Sequence, residues 1–187
     1  MQKCSWCLGD DLYEKYHDEE WGVPVHDDLV HFEFLLLESA QAGLSWLTIL
    51  KKRENYRKAY DNFDYEKVSN YDEKKIEELM NNSGIVRNRR KIKASIKNAR
   101  VFLEIQKEFG SFDKYIWSFT DGKQVVNHFT DVKDILAKSV LSETVSKDLK
   151  KRGCSFLGPV IMYAHLQATG IINDHIMSCF RYEEVQK

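Results

Sequence analysis

The stretch Leu149-Lys150-Lys151-Arg152-Gly153-Cys154-Ser155-Phe156-Leu157-Gly158-Pro159-Val160 decides how this chain folds. It reads as a helix ending in basic residues, a tight glycine-bearing turn, and a Gly-Pro pair that opens the next helix. Proline fits the first turn of a helix, where its missing N–H leaves nothing unsatisfied. The free N–H groups there point outward with the positive end of the helix dipole, which favours anions. With Lys150, Lys151 and Arg152 alongside, and Gly153 and Gly158 allowing close approach, the corner reads as a phosphate clamp indifferent to sequence. Helix–glycine–helix corners are also common as plain structural joints, so the corner speaks first for helical architecture.

Outward from that corner, helical signals fill the chain. Only Pro24 and Pro159 interrupt it, and no sustained period-two alternation points to a sheet. The expected helices cover 28–42, 44–51 running on to 63, 72–81, 87–109, 112–119, 142–152, 159–169 and 174–182. Asp72, Ser142 and Asp174 are the expected caps, and Gly84, Gly110, Gly153 and Gly170 mark ends. Residues 121–131 are the least regular and read as a surface loop. With 187 residues, 43% of them hydrophobic, the chain suits one domain, residues 1–187, with room for two lobes. No apolar run reaches the roughly 18 residues that span a bilayer, so no membrane partner is expected. The N-terminus lacks a signal-peptide pattern, which implies a cytoplasmic protein. In that compartment Cys4, Cys7, Cys154 and Cys179 are expected as thiols or metal ligands.

Glu38 stands out chemically. It follows Phe34-Leu35-Leu36-Leu37 inside the most apolar stretch, where a carboxylate must stay wet, find a partner or await a ligand. Trp6, Tyr13, Tyr16, Trp21 and Trp46 surround it in sequence, and one acid among stacking aromatics suits a flat, cationic or amino-bearing ring. The bland alternative is a helix residue paired with a buried Arg or Lys. The aromatic company favours the pocket.

The net charge of −1 suggests no polyanion partner, but its distribution does. Residues 87–100 (RNRRKIKASIKNAR) hold seven basic residues and no acid, and 51–58 and 147–152 are also basic. Such runs form a positive face for phosphate or simply a solvated helix surface. Cys4, His17, His175 and Cys179 are one possible tetrahedral zinc set, with His175 and Cys179 on one face if 174–182 is helical. By spacing alone Cys7, His26, His31, His128 and His165 are equally available, and a His–Cys pair on an apolar helix is more often core.

Several blocks together give a specific resemblance: Cys4-Ser5-Trp6, 13–24 (YEKYHDEEWGVP), 38–46 (ESAQAGLSW), 51–56 (KKRENY), 92–100, 150–158 and 173–179 (NDHIMSC). Over essentially its whole length the chain resembles the bacterial constitutive 3-methyladenine DNA glycosylases of the Tag type, in the helix-hairpin-helix glycosylase superfamily. The resemblance implies an all-α, two-lobed fold with the helix-hairpin-helix at about 142–169. It implies one structural Zn2+ held by Cys4, His17, His175 and Cys179, joining the N- and C-terminal segments. It further implies a lesion-base pocket of Glu38, Tyr16 and Trp46, bordered by Trp6, Tyr13 and Trp21. The partner is then alkylated double-stranded DNA, free 3-methyladenine is the product, and the enzyme is a monomer. Glu38 and Tyr16 would meet the base edge, while Gly43 and Leu44 would wedge the strand.

Many relatives in that superfamily use an aspartate after the hairpin to orient water. Asp174 lies near that place, but its neighbour His175 points to a helix cap or a partner for a metal ligand. No lysine occurs in 159–163, so lyase chemistry is disfavoured. Two rival classes remain on sequence grounds. One is a zinc-stapled nucleic-acid-binding module without catalysis, and the other is an enzyme acting on free purine nucleosides.

Overall fold

The most apolar stretch of the chain becomes its central rod. In the computed structural model, which describes residues 2–41 and 43–186, helix α2 spans Asp28–Gln41 and buries every residue from His31 to Ala40. A helix apolar on all sides must be wrapped by others. Helix α1 (Asp11–Glu19) precedes it, and α3 (Trp46–Ala59), α4 (Tyr65–Ser69), α5 (Glu73–Asn81), α6 (Arg89–Phe109) and α7 (Phe112–Ser118) follow. The chain closes with α8 (Val140–Arg152), α9 (Pro159–Ala168) and the short α10 (Arg181–Glu184). Helices α3, α6, α7 and α9 all pack on α2. Among the described residues no helix is long and apolar enough to cross a membrane.

The corner between α8 and α9 forms as its sequence requires. Gly153 takes the left-handed conformation at φ 109° and its N–H closes on the carbonyls of Leu149 and Lys150. Pro159 opens α9 behind Gly158. Asn98 of α6 ties down the turn between them, donating to the Ser155 carbonyl at 2.9 Å and accepting from its N–H at 3.0 Å. Ser146 donates to the Leu157 carbonyl at 2.7 Å.

The structure departs from the sequence expectations in a few places. Helix α8 starts at Val140, not 142: Ser139 caps it, and Ser142 is the third helical residue of a capping box. Ser45 caps α3, so that helix begins at Trp46 and leaves Leu44 outside and exposed. It ends at Ala59, because Asp61, Asn62 and Phe63 all adopt positive φ. The expected end of α2 at Ala42 lies outside the described residues.

The largest correction concerns 174–182, which is not a helix. Ile172–Asn173 forms a short strand β2, parallel to β1 (Val125–Val126) from the stretch expected to be a loop. Asn173 and Asp174 spend their side chains on long-range partners: Asn173 donates to the Tyr182 carbonyl, and Asp174 accepts from Asn127, Tyr163 and Gln167. Asp174 is therefore no helix cap. Asn173 also accepts from the His175 N–H at 3.1 Å, a local bond that competes with helix formation, and the chain turns tightly until Arg181.

Gly170 locks this region against the segment after α1. It has φ +67°, and a Cβ there would lie 2.2 Å from the Val23 carbonyl carbon. Both left-handed strain and a backbone clash penalise a side chain. Gly170→Ala is expected to destabilise the protein by at least about 2 kcal/mol in urea unfolding. Gly158→Ala, where a Cβ would meet nothing within 4 Å, should stay within about 0.5 kcal/mol of the parent.

Candidate active site and metal centre

Helix α2 carries two buried carboxylates with opposite surroundings. Glu33 accepts from Arg53 Nε at 2.7 Å and from Arg57 Nη2 at 2.8 Å. Arg53 also holds both oxygens of Glu20 at 2.8 Å and lies 5.4 Å from the centre of the Phe34 ring. This is how a buried charge is normally kept. Further along the same helix Glu38 is 2% exposed, and its Oε2 has no hydrogen-bond partner among the described residues. The bland reading of a buried ion pair thus fits Glu33 and not Glu38.

Glu38 borders a cavity of about 290 Å³, at the small end of the ~300–1,000 Å³ typical of small-molecule sites. Every aromatic expected from sequence lines it: Trp6, Tyr13, Tyr16, Trp21 and Trp46. Tyr13 and Tyr16 lie three apart on α1 and so share a face. Trp6 comes from a 3-10 turn at Ser5–Cys7, and Trp46 is the first residue of α3 because Ser45 caps it. Tyr16 and Trp46 are 5.6 Å apart by ring centre, Trp6 and Trp21 4.9 Å. Trp46 Nε1 is a second buried polar atom without a partner among the described residues.

Burial pushes the Glu38 carboxyl well above its ordinary range. Burial, then the adjacent Glu38, pushes the Tyr16 hydroxyl up, so it remains a proton donor at neutral pH. The cavity combines one unpaired acid, neutral donors and π faces.

Gln41, Val132, Ile135, Ala164 and Gln167 also line the cavity and were missed in the sequence. Gln41 was legible, lying one turn beyond Glu38 on the same helix. The others come from distant segments with no local signal.

Directly behind the aromatic wall, Cys4, His17, His175 and Cys179 are all buried, and their ligand atoms lie within 4.8 Å of one another. Cys179 Sγ is 3.4 Å from His17 Nε2 and 3.5 Å from His175 Nδ1; Cys4 Sγ is 3.7 Å from His175 Nδ1. A tetrahedral zinc with ordinary Zn–S and Zn–N bonds would set S···N edges at about 3.6 Å. Each imidazole is oriented through its other nitrogen: His17 Nδ1 lies 2.8 Å from Asp18, and His175 Nε2 lies 2.9 Å from the Trp21 carbonyl. A hydrogen bond from Cys4, with support from both histidines, pushes the Cys179 thiol well down, while the same bond and burial raise Cys4. The residues fit a metal ion. They do so from a turn, not from the helix expected there. Trp6 touches His17 and Trp21 touches His175 at ring distances of 5.3 and 4.6 Å, so this cluster buttresses the cavity.

The expected phosphate-binding residues separate into two kinds. Lys150 and Lys151 are exposed on α8, Gly158 is exposed ahead of α9, and Gly43 and Leu44 are exposed where α2 gives way to α3. Arg152 is engaged internally: it donates to Asp148 at 2.7 Å and to Glu108 at 2.6 Å, and its guanidinium stacks near Phe109 and Tyr115. The run 87–100 is likewise partly occupied. Arg89 pairs with Glu73 and Glu77, Lys93 with Glu73, and Arg100 donates to the Ser69 carbonyl.

Comparison with known proteins follows the same lines. The family model for methyladenine glycosylase matches residues 6–182. The chain belongs to the methyladenine glycosylase family. It is 44% identical over 182 residues to DNA-3-methyladenine glycosylase 1 of Escherichia coli K12, covering 97% of each. A solved structure of a Y16F 3-methyladenine DNA glycosylase I in complex with 3-methyladenine superposes with a TM-score of 0.94 at 38% identity, covering 97% of this chain and 98% of that one. The E38Q mutant of the Staphylococcus aureus enzyme superposes at 0.93, also at 38% identity and with the same coverage. The mostly helical architecture is thus that of this glycosylase family.

The contrast between Glu33 and Glu38 has a measurable consequence. Because burial raises the Glu38 carboxyl, the folded glycosylase keeps a proton that the unfolded chain loses above its ordinary value of 4.5. The unfolded state then binds fewer protons, and stability falls as pH rises. Glu38→Gln is therefore expected to melt above the parent at neutral pH, with the gap closing towards about pH 4. Glu33→Gln should instead lose about 3–5 kcal/mol, since it leaves buried arginines short of a partner. Thermal melts across pH test both signs.

Proposed function

We propose that this chain is a monofunctional DNA base-excision glycosylase that flips N3-methylated adenine out of alkylated double-stranded DNA and hydrolyses its bond to the sugar. The observation that carries this reading is the unpartnered Glu38 carboxylate in an aromatic cavity. The names of its relatives agree with it. The Y16F and E38Q substitutions in two of them fall on the residue types and numbers of Tyr16 and Glu38 here.

Methylation at N3 places positive charge on the base and weakens the bond to the sugar. The reacting carbon is shielded in the duplex, so the nucleotide must leave the stack. In the cavity the ring cation meets π faces and a carboxylate. At ~4 Å and an effective dielectric near 20, that pair attracts by about 4 kcal/mol, roughly a thousandfold advantage over a neutral base. Trp46 offers a stacking face, and Tyr16 and Glu38 meet the polar edge. Trp6, Tyr13 and Trp21 border the base. A cationic base is already a good leaving group, so extrusion, stacking and the Glu38 charge supply the chemistry. The absence of lysine at the start of α9 supports simple hydrolysis over lyase chemistry.

On the DNA side, α8 and α9 act as the helix-hairpin-helix of a single two-lobed glycosylase domain. Lys150, Lys151, Gly153 and Gly158 approach phosphate, and Arg152 contributes mainly by fixing α8 to α6. The exposed Leu44 on its glycine hinge fills the gap left by the flipped nucleotide. The enzyme works as a cytoplasmic monomer.

We assign a structural zinc to Cys4, His17, His175 and Cys179. Four protein ligands leave no open position for water activation, so the metal would supply fold stability alone.

Incubation with methylated duplex DNA should release free 3-methyladenine without strand cleavage. Glu38→Gln, correctly folded, should slow release by about ten- to a hundredfold, the worth of a charge-assisted hydrogen bond of roughly 1.5–3 kcal/mol. Parental rates in that variant would remove Glu38 from the mechanism. Metal analysis should find one zinc per chain. Cys179→Ser should lower the melting temperature more than the turnover per folded molecule.

A further inference from the structure

The side of the cavity formed by α9 carries a second polar group, and its orientation is fixed from behind. Gln167 lines the cavity, and its Nε2 donates to Asp174 Oδ2 at 2.7 Å. Asp174 is fully buried and accepts two further bonds, from the Tyr163 hydroxyl at 2.7 Å and from Asn127 Nδ2 at 2.6 Å. A carboxylate can only accept. Turning the Gln167 amide over would set its carbonyl oxygen against Asp174, acceptor against acceptor. The amide is thus locked with its N–H2 inward, and its Oε1 accepts from no donor among the described residues.

With three donors already aimed at it, Asp174 is poorly placed to activate water. Gln167 is one of the three groups it holds. The consequence is chemical: Gln167 lines the same cavity as Glu38, and the direction of its amide oxygen cannot adapt to a ligand. A 6-amino purine offers two N–H bonds to such a pair. A 6-oxo purine offers a carbonyl in the same place, which meets the fixed Gln167 acceptor.

Building on the glycosylase reading, we propose that Gln167 is a specificity-determining residue whose carbonyl selects bases with an exocyclic amino group, and that Asp174 is its positioning residue. A glutamine free to rotate its amide would serve either edge equally well. The Asp174 anchor removes that freedom, and an acceptor left facing a carbonyl discriminates more strongly than a change in shape.

The test measures binding of free 3-methyladenine and 3-methylhypoxanthine, followed by quenching of the cavity tryptophans. The parent, Gln167→Leu, Asp174→Asn and the double variant are compared, each checked for a normal melt. The parent should prefer the amino base. Gln167→Leu should shrink that preference about tenfold, mostly by weakening 3-methyladenine. Asp174→Asn, which lets the amide turn over, should shrink it too, and should add nothing in the Gln167→Leu background. A folded Gln167→Leu protein that keeps the parental preference, or that loses both bases equally, overturns the proposal whatever Asp174→Asn does. A parent that binds neither base overturns the reading of the cavity as well.

Discussion

An unpaired carboxylate inside a protein costs several kcal/mol unless it keeps its proton or gains a partner, and most of this fold is arranged around that cost at Glu38. Helix α2 tolerates it because the same helix buries Phe32, Phe34, Leu35, Leu36 and Leu37 on all sides. The second acid on that rod is fully compensated: Arg53 and Arg57 converge on Glu33, and Arg53 reaches on to Glu20 at the end of α1. That ion network clamps α1, α2 and α3 together, and these are the helices that bring Tyr16, Glu38 and Trp46 to one cavity. The compensated acid thus holds the uncompensated one in place.

The rest of the cavity wall depends on the two ends of the chain. Cys4 and His175 are 171 residues apart yet in contact, so a metal held there closes a very long loop, where the entropic gain of a cross-link is largest. Trp6 follows Cys4, and Trp21 offers its carbonyl to His175. Loss of the cluster would therefore loosen the aromatic wall before it touched α2. Separation of duties follows: the Cys–His cluster supports the aromatic wall, and the unpaired Glu38 lies on a different element.

Much of this was legible in the sequence because it is local. The Gly153 and Pro159 corner, the buried run of α2 and the aromatic set around Glu38 each announce themselves within a few residues. What was illegible is non-local. Arg152 reads as a free cation beside Lys150 and Lys151, but its partner Glu108 belongs to α6. The acid-free run 87–100 borrows its counter-charges from Glu73 and Glu77 on α5. Residues 174–182 carry helical spacing, yet Asn173 and Asp174 bond to residues far along the chain, and β2 pairs with a strand of only two residues, Val125 and Val126, too short to read from sequence. Gln167 follows the same rule, since only the fold reveals that Asp174 fixes its amide.

The central claim is that Glu38 is held unpaired for a cationic or amino-bearing base. Selective carbon-13 labelling of glutamate, with the Glu38 carboxyl assigned by comparison with Glu38→Gln, follows its charge directly. The free protein should show this carboxyl titrating well above the ordinary value of 4.5. Addition of 3-methyladenine should drive it towards the ionised form at the same pH. An ordinary titration in the free protein, or a signal indifferent to the base, would contradict the account.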